Sequence, residues 1–386
     1  MTSPRRWLVV AALVAAVVLL PLAPRLLPAE ETDQDPAALL ALLAEAPDAG
    51  WSGYVETTGT LQLPATGDLD DLGSLLGETT RLRVWWRDAD SWRVDRLLTA
   101  GESDLRHTDD VTVAYSYEAQ EAEVSRDPDI RLPRTSDLLP SELARRFVVG
   151  ADPAAFAADP GSYDVPDSVI GFLSGELGDP PGGWPEPFRT RALAGRTVRP
   201  AAADLVDVWL DPATGVPLLV EAYAEGSSSP ALTSEVRDYD PGTPPASVVA
   251  LDPTAGTDVE RVDVRDIADA ASQYAPLRPP DEVAGLDLQP SSRGAVGVYG
   301  QGLTQLVAIP LRDNEADPLR EQVAVTPDAV ATEDSIGALA GPLGVLVGGR
   351  AGDGGWLVAG TLDLDALRAA EADLRSGAVY LPEEDQ

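Results

Sequence analysis

The chain lacks cysteine and lysine altogether and holds one histidine, His107, in 386 residues. Without cysteine there is no disulfide framework, no thiolate metal site, no cysteine nucleophile and no N-terminal lipidated cysteine. Without lysine there is no P-loop and no Schiff-base chemistry, and all 28 basic residues are arginine. A single histidine excludes a multi-histidine metal centre and leaves any Ser-His-Asp triad resting on His107 alone. Its setting, Asp104-Leu-Arg-His-Thr-Asp-Asp110, reads as a polar strand end or turn carrying a surface histidine. Positive charge is short as well. The 64 acids outnumber the bases to a net charge of −36, a surface that repels phosphate backbones, so nucleic acid is not an expected partner.

Other motifs with a chemical meaning fail on spacing. Gly297-Val-Tyr-Gly-Gln-Gly302 lies between strand patterns with no helix after it, which makes it a hairpin and not a phosphate loop. Asp68-Leu-Asp-Asp-Leu-Gly73 puts Leu72 and Thr79 where a calcium loop needs oxygen ligands, so it reads as a solvated acidic loop. No metal, no cofactor and no catalytic site are expected; the inventory predicts a protein that is not an enzyme.

What is present starts at the N-terminus. Arg5 and Arg6 precede an uncharged apolar run from Trp7 to Leu20, the pattern of an export signal or signal anchor. Residues 1–28 are read as a single membrane span that keeps the bulk of the chain extracytoplasmic, with a cleaved signal peptide and a secreted protein as the alternative. A first helix is expected over Pro36–Glu45, with proline in its first turn. From Gly53 the period becomes two. Leu82, Val84 and Trp86 share one strand face, Arg83, Trp85 and Arg87 the other; Asp88–Ser91 turns, and Trp92 and Val94 return on the apolar side. Val111, Val113, Tyr115 and Tyr117 alternate with smaller or polar residues. Strands follow one another from 53 to about 126 with no helix-length segment between them, which predicts an antiparallel meander. A capped helix is expected over Ser136–Val149, then strands at Leu205–Leu210 and Leu218–Tyr223 around an Asp211–Pro217 turn. Strand pairs at 295–300 with 303–311 and 343–348 with 355–361 precede a closing helix over Asp363–Arg375. The expected division is a large domain over 36–245 and a small α+β domain over 260–380.

The pieces Trp92-Arg-Val-Asp95, Val208-Trp-Leu-Asp-Pro-Ala-Thr-Gly-Val-Pro-Leu218 and Val298-Tyr-Gly-Gln-Gly-Leu-Thr-Gln-Leu-Val307, in this order, resemble the LolA/LppX/RseB-like superfamily of envelope proteins. The two-domain plan is most similar to its RseB branch. The resemblance implies an α+β fold: a curved antiparallel half-barrel with helices plugging its concave face, plus a smaller α+β C-terminal domain. It further implies a sensor that binds a lipid or lipoprotein acyl chain and acts on a membrane protein such as an anti-sigma factor. The other readings are a carrier of the LolA or LppX kind and a structural envelope protein whose core is filled. On such a half-barrel, Leu82, Val84, Trp86, Trp92, Val94, Tyr115 and Tyr117 are the candidates for the inner face, as pocket lining or as core. Arg83, Trp85 and Arg87 lie on the outer face, where Trp85 either stacks under a guanidinium or marks a partner patch.

Overall fold

A computed structural model describes residues 36–61, 70–99, 101–127, 130–147, 188–193, 203–211, 213–224, 226–250, 257–262, 267–301, 304–350, 352 and 354–381. The expected span over 1–28 lies outside these residues, and no helix among the described residues is long and apolar enough to cross a membrane.

Eleven strands form one sheet: β1 (Trp51–Gly59), β2 (Thr79–Asp88), β3 (Ser91–Leu98), β4 (Gly101–Thr108), β5 (Val111–Ser116), β6 (Glu121–Arg126), β7 (Phe188–Leu193), β8 (Ala203–Leu210), β9 (Pro217–Ala224), β10 (Leu232–Pro241) and β11 (Asp258–Arg261). Their order is β11-β6-β5-β4-β3-β2-β1-β10-β9-β8-β7. Every pair is antiparallel except β11 on β6. The first six strands therefore meander outward to one edge, and the later four fill in on the other side of β1. β7 and β11 end the sheet without pairing to each other, so the half-barrel stays open.

Period-two patterning decides which side is wet. Leu82, Val84 and Trp86 are buried on the inner face, across from Val94 and Trp92 on β3 and from Val55 and Trp51 on β1. These residues form one core with Leu105, Val216, Leu218 and Val236. It is closed from above by short helical pieces. The α-helix α1 (Pro36–Glu45) leads into a 3₁₀ turn at Ala46–Asp48 that packs on β2. A second 3₁₀ turn, Thr135–Leu138, packs on β3 and leads through Leu139 into α-helix Pro140–Phe147, which lies on β9 and β10. Leu139 is fully buried in the strand core, and the Ser234 hydroxyl donates to the Leu138 carbonyl at 2.6 Å.

The segment read as one helix over 136–149 is thus a 3₁₀ turn, an extended Leu139 and a shorter helix. Proline at position 140 suits a first helical position and forces the residue before it out of the helical region. A second difference is an added helix, Asp70–Gly77, between β1 and β2. It replaces the loop expected around Asp68–Gly73 and interrupts the strand meander, and it buries Leu75. These helices are, in chain order, α2 (Asp70–Gly77) and α3 (Pro140–Phe147).

The Asp211–Pro217 turn behaves as its residues dictate. The Asp211 carboxylate accepts from the Thr214 hydroxyl at 2.7 Å and the Tyr239 hydroxyl at 3.1 Å. Gly215 sits at φ 75°, a left-handed conformation that glycine takes without steric cost.

After β10 the chain crosses the outer face. A short helix, α4 (Ala246–Val249), packs on β2, β3 and β4 and buries Val249. The second domain follows with α5 (Ile267–Tyr274) and a six-stranded antiparallel sheet. Its strands are β12 (Gly297–Gln301), β13 (Thr304–Leu311), β14 (Val330–Ala331), β15 (Ser335–Ala340), β16 (Leu343–Gly348) and β17 (Gly355–Gly360), in the order β12-β13-β17-β16-β15-β14. One face packs on α5 and on the closing helix α7 (Leu364–Gly377) around Tyr299, Leu306, Leu346 and Val358. The other face takes α6 (Asp313–Val325) against Ala338 and Val347. The Asp363 carboxylate caps α7 by accepting from the Ala366 N–H at 2.7 Å. The architecture is α+β, a large half-barrel with plugging helices beside a smaller helix-covered sheet.

Candidate functional site

Three rings stand in a row on the inner face because their strands are paired side by side. The β2–β3 register sets Trp86 opposite Trp92, and the β3–β4 register sets Trp92 opposite His107. The indoles stack at 5.9 Å with an interplanar angle of 2°, and the imidazole stacks on Trp92 at 5.2 Å and 17°. The two outer rings are held from their far ends. The Trp86 indole N–H donates to the Pro47 carbonyl at 2.8 Å. Beyond His107, the Thr112 hydroxyl donates to Asp127 at 2.6 Å, so it accepts from His107 at 2.9 Å and fixes the proton on Nδ1.

Above this row lies a cavity of about 330 Å³. Pro47, Trp86, Ala89 and Trp92 form its apolar side; Arg131, Arg134 and Arg145 face them with Asp127, Asp137 and Glu142. The rim comes from the segment between β6 and α3, which carries Asp127, Arg131, Arg134 and Asp137, and from α3 itself, which carries Glu142 and Arg145. Asp137 accepts from Arg131 at 2.7 Å, from Arg146 at 2.7 Å and from the Arg134 backbone N–H at 2.8 Å. Asp127 pairs with Arg134, and Glu142 with Arg145 at 2.6 Å. Burial raises the pKa of both aspartates, but for Asp127 the Thr112 and Arg134 hydrogen bonds outweigh it, and for Asp137 Arg131 and Arg146 do. Both are held below the usual carboxylate range. The Arg134 pKa is lowered as well, which for a guanidinium disfavours the charged form. Burial and the neighbouring Arg131 charge lower its pKa, and its Nε is buried with no hydrogen-bond partner among the described residues.

Of the seven residues predicted to line the inner face, five are there. Leu82, Val84 and Val94 are fully buried core, and Trp86 and Trp92 alone also border the cavity. Tyr115 and Tyr117 are corrections. Tyr115 pairs with Asp104, which pairs with Asp95 on the side opposite Trp92 and Val94, so its ring lies on the outer face. Tyr117 is past the end of β5 and exposed, edge-on to Tyr115. His107 lies at a strand end, next to last in β4, but it is half-buried in the ring stack where a surface histidine was expected.

The outer-face residues Arg83, Trp85 and Arg87 do not form one patch. Arg83 is exposed, whereas Arg87 donates to the Pro244 carbonyl of the crossing segment. Trp85 is half-buried under a guanidinium, and the arginine is its cross-strand partner Arg93, 4.8 Å from the ring centre. Arg93 also grips Asp95 through two 2.6 Å bonds and reaches Asp104 at 2.9 Å, where Arg106 joins it at 2.9 Å. Asp95, Glu102 and Asp104 place carboxylate oxygens within 4.8 Å of one another. Arg93 and Arg106 already supply the positive charge that a cation would bring to this cluster. Burial, and then the Asp104 charge, push the Asp95 carboxyl up to about 7 against the pull of Arg93.

Sequence reading passed over Thr112, Asp127, Arg131, Arg134 and Arg145. The signal was five arginines between Arg126 and Arg146 in an acidic chain.

A family model described as a conserved carboxylase domain matches residues 142–214, under half of the chain and mostly outside the described residues. That stretch contains no histidine, lysine or cysteine. No curated relative matches the sequence significantly. Among solved structures, the chain is similar to one in the Pseudomonas aeruginosa MucA/MucB complex, at 15% identity and a TM-score of 0.44, covering 90% of this chain and 100% of that one. It is similar to an uncharacterised conserved protein from Thermus thermophilus, at 12% identity and TM-score 0.32, covering 59% and 100%. A LolA superfamily protein from Nitrosomonas europaea follows at 9% identity and TM-score 0.20, covering 55% and 96%. The strand order and registers above carry the fold assignment by themselves.

Proposed function

We propose that the chain is an exported, membrane-attached binding protein of the RseB kind. Its half-barrel takes up a ligand, and its smaller domain engages a membrane partner of the anti-sigma type. The observation that carries the binding role is the cavity above Trp86, Trp92 and His107, an apolar wall facing an arginine rim. The partner class rests on the sequence resemblance alone.

A sensor fits better than a carrier. Among the described residues, Leu139, Val216 and Leu218 fill the inner face beside Leu82 and Val84, and the cavity at its end holds about 330 Å³. That volume is at the lower limit of ligand pockets, which run from roughly 300 to 1,000 Å³, and is short of what a lipoprotein's several acyl chains need. Catalysis is not part of the proposal. His107, the one histidine, is stacked on Trp92 with its Nδ1 proton committed to Thr112.

The test is affinity capture of membrane proteins from the native host with the full chain as bait, with native mass spectrometry of the purified bait. Recovery of a single-span anti-sigma-type protein supports the regulator. Failure to recover one, together with a bound multi-acyl lipid or lipoprotein, would replace it with the carrier reading.

A further inference from the structure

Resting on the reading of the end cavity as the ligand site, we propose that it selects a small organic anion: a carboxylate or phosphate monoester carried on an apolar body. Arg131, Arg134 and Arg145 meet the anion, and Trp86 and Trp92 meet the body.

Three guanidiniums line the cavity, those of Arg131, Arg134 and Arg145, with three carboxylates, those of Asp127, Asp137 and Glu142, so charge is balanced among the described lining residues, and Arg146 joins Asp137 from outside the lining. Donors are in surplus. Every one of the three carboxylates is already engaged: Asp127 by the Thr112 hydroxyl and Arg134, Asp137 by Arg131, Arg146 and a backbone N–H, Glu142 by Arg145. The three guanidiniums carry more N–H donors than these carboxylates accept, and an anionic oxygen in the cavity is the group that takes up the rest. A cation would find no free carboxylate among the described lining residues.

The opposite wall sets the rest of the ligand. Pro47, Ala89 and the two indoles offer carbon surface, with the Trp86 indole N–H already spent on Pro47. A bare inorganic anion leaves that surface wet, and a neutral apolar molecule leaves the arginine rim unmatched. Only a ligand with both parts satisfies both walls. On a molecule of net charge −36, long-range attraction does not bring anions in, so recognition depends on these short contacts.

The test is titration calorimetry of the full chain with 2-naphthoate, 2-naphthyl phosphate, neutral 2-naphthylmethanol and inorganic phosphate. Both naphthyl anions are expected to bind, each at least about tenfold tighter than the alcohol or inorganic phosphate. Arg134→Gln and Arg145→Gln are each expected to weaken the anions by about tenfold. Arg145 is half-exposed, so its variant keeps the test valid if Arg134→Gln fails to fold. Equal binding of the alcohol, equal binding of inorganic phosphate, unchanged affinity in the Arg145 variant, or no binding of either naphthyl anion overturns the proposal. Partner capture with the full chain is a separate readout, so failure here removes the ligand class and leaves the regulator reading to its own experiment.

Discussion

Trp92 is the residue on which the inner face and the cavity both depend. One face of its indole meets Trp86 and the other meets His107, and it is 6% exposed. Removing it takes carbon from the core and a wall from the cavity together. Trp92→Ala is expected to cost about 3 to 5 kcal/mol in denaturant unfolding, since the strands around it cannot collapse into the gap. A loss under about 1 kcal/mol would show that the ring is peripheral to the core. Asp95 makes the opposite kind of prediction, one of pH. Its carboxyl is pushed up to about 7 in the fold and lies near 3.9 in an unfolded chain. Between about pH 4 and 7 the folded state therefore binds more proton than the unfolded one. The stability this adds is full below about pH 4 and lost as pH rises to about 7. The stability advantage of wild type over Asp95→Asn is expected to shrink from pH 5 to pH 8, as read by denaturant midpoints; an advantage that grows over that range would contradict it.

Single residues also show where sequence periodicity was informative. On β2 the alternation of arginine with leucine, valine and tryptophan separates a wet side from a dry one, and burial follows it residue by residue. On β5 the same reasoning inverted the faces. Val113 and Tyr115 are the larger apolar residues, yet the inner face there belongs to Thr112 and Ala114. The outer face is not uniformly wet, because α4 crosses it and the Arg93 and Arg106 network buries Asp95 and Asp104. Thr112 in turn is drawn inside by the hydrogen bonds it makes to His107 and Asp127. Apolarity marks the inside only where the other face is open to water.

At the scale of elements, the plug decides what the half-barrel can hold. Leu139 projects from the joint between a 3₁₀ turn and α3 into the strand core, and Pro140 fixes that joint. Leu139→Ala is expected to destabilise the domain by about 2 to 5 kcal/mol in equilibrium unfolding. Near-wild-type stability would mean that the plug rides on the sheet without being part of its core. The strands and the closing helix were legible from period and caps, because long repeated patterns leave little choice. The short pieces were not. α2 and the 3₁₀ turns are too brief to show a period, and they form because the sheet beneath them needs covering.

For the whole molecule, the half-barrel and the second domain meet at several places among the described residues, with Ile130 from the segment after β6 packed on the second domain's core and accepting from the Ile267 N–H at 3.1 Å. Leu61 and Ala231 of the half-barrel meet Ala340 at the edge of the second sheet, and Gln305 donates to the Arg146 carbonyl at 3.3 Å. Arg146 also binds Asp137 on the cavity rim, so this contact places the second domain one residue from the proposed ligand site. Composition alone gives the excess of acidic charge. It did not foretell the cavity, because the rim joins an irregular segment to the first turns of α3, and only the fold brings their arginines to the rings.

The central claim is that ligands enter at the end of the half-barrel, beside an inner face that is packed core around Trp51, Leu82, Val84 and Val94. The most direct measurement is the indole ¹⁵N–¹H spectrum of the full chain titrated with 2-naphthoate. The Trp86 and Trp92 signals are predicted to shift together, while Trp51 and Trp209, at 0% and 1% exposure, stay in place. Shifts at Trp51, or at Trp356 in the second domain, with Trp86 and Trp92 unmoved would contradict it.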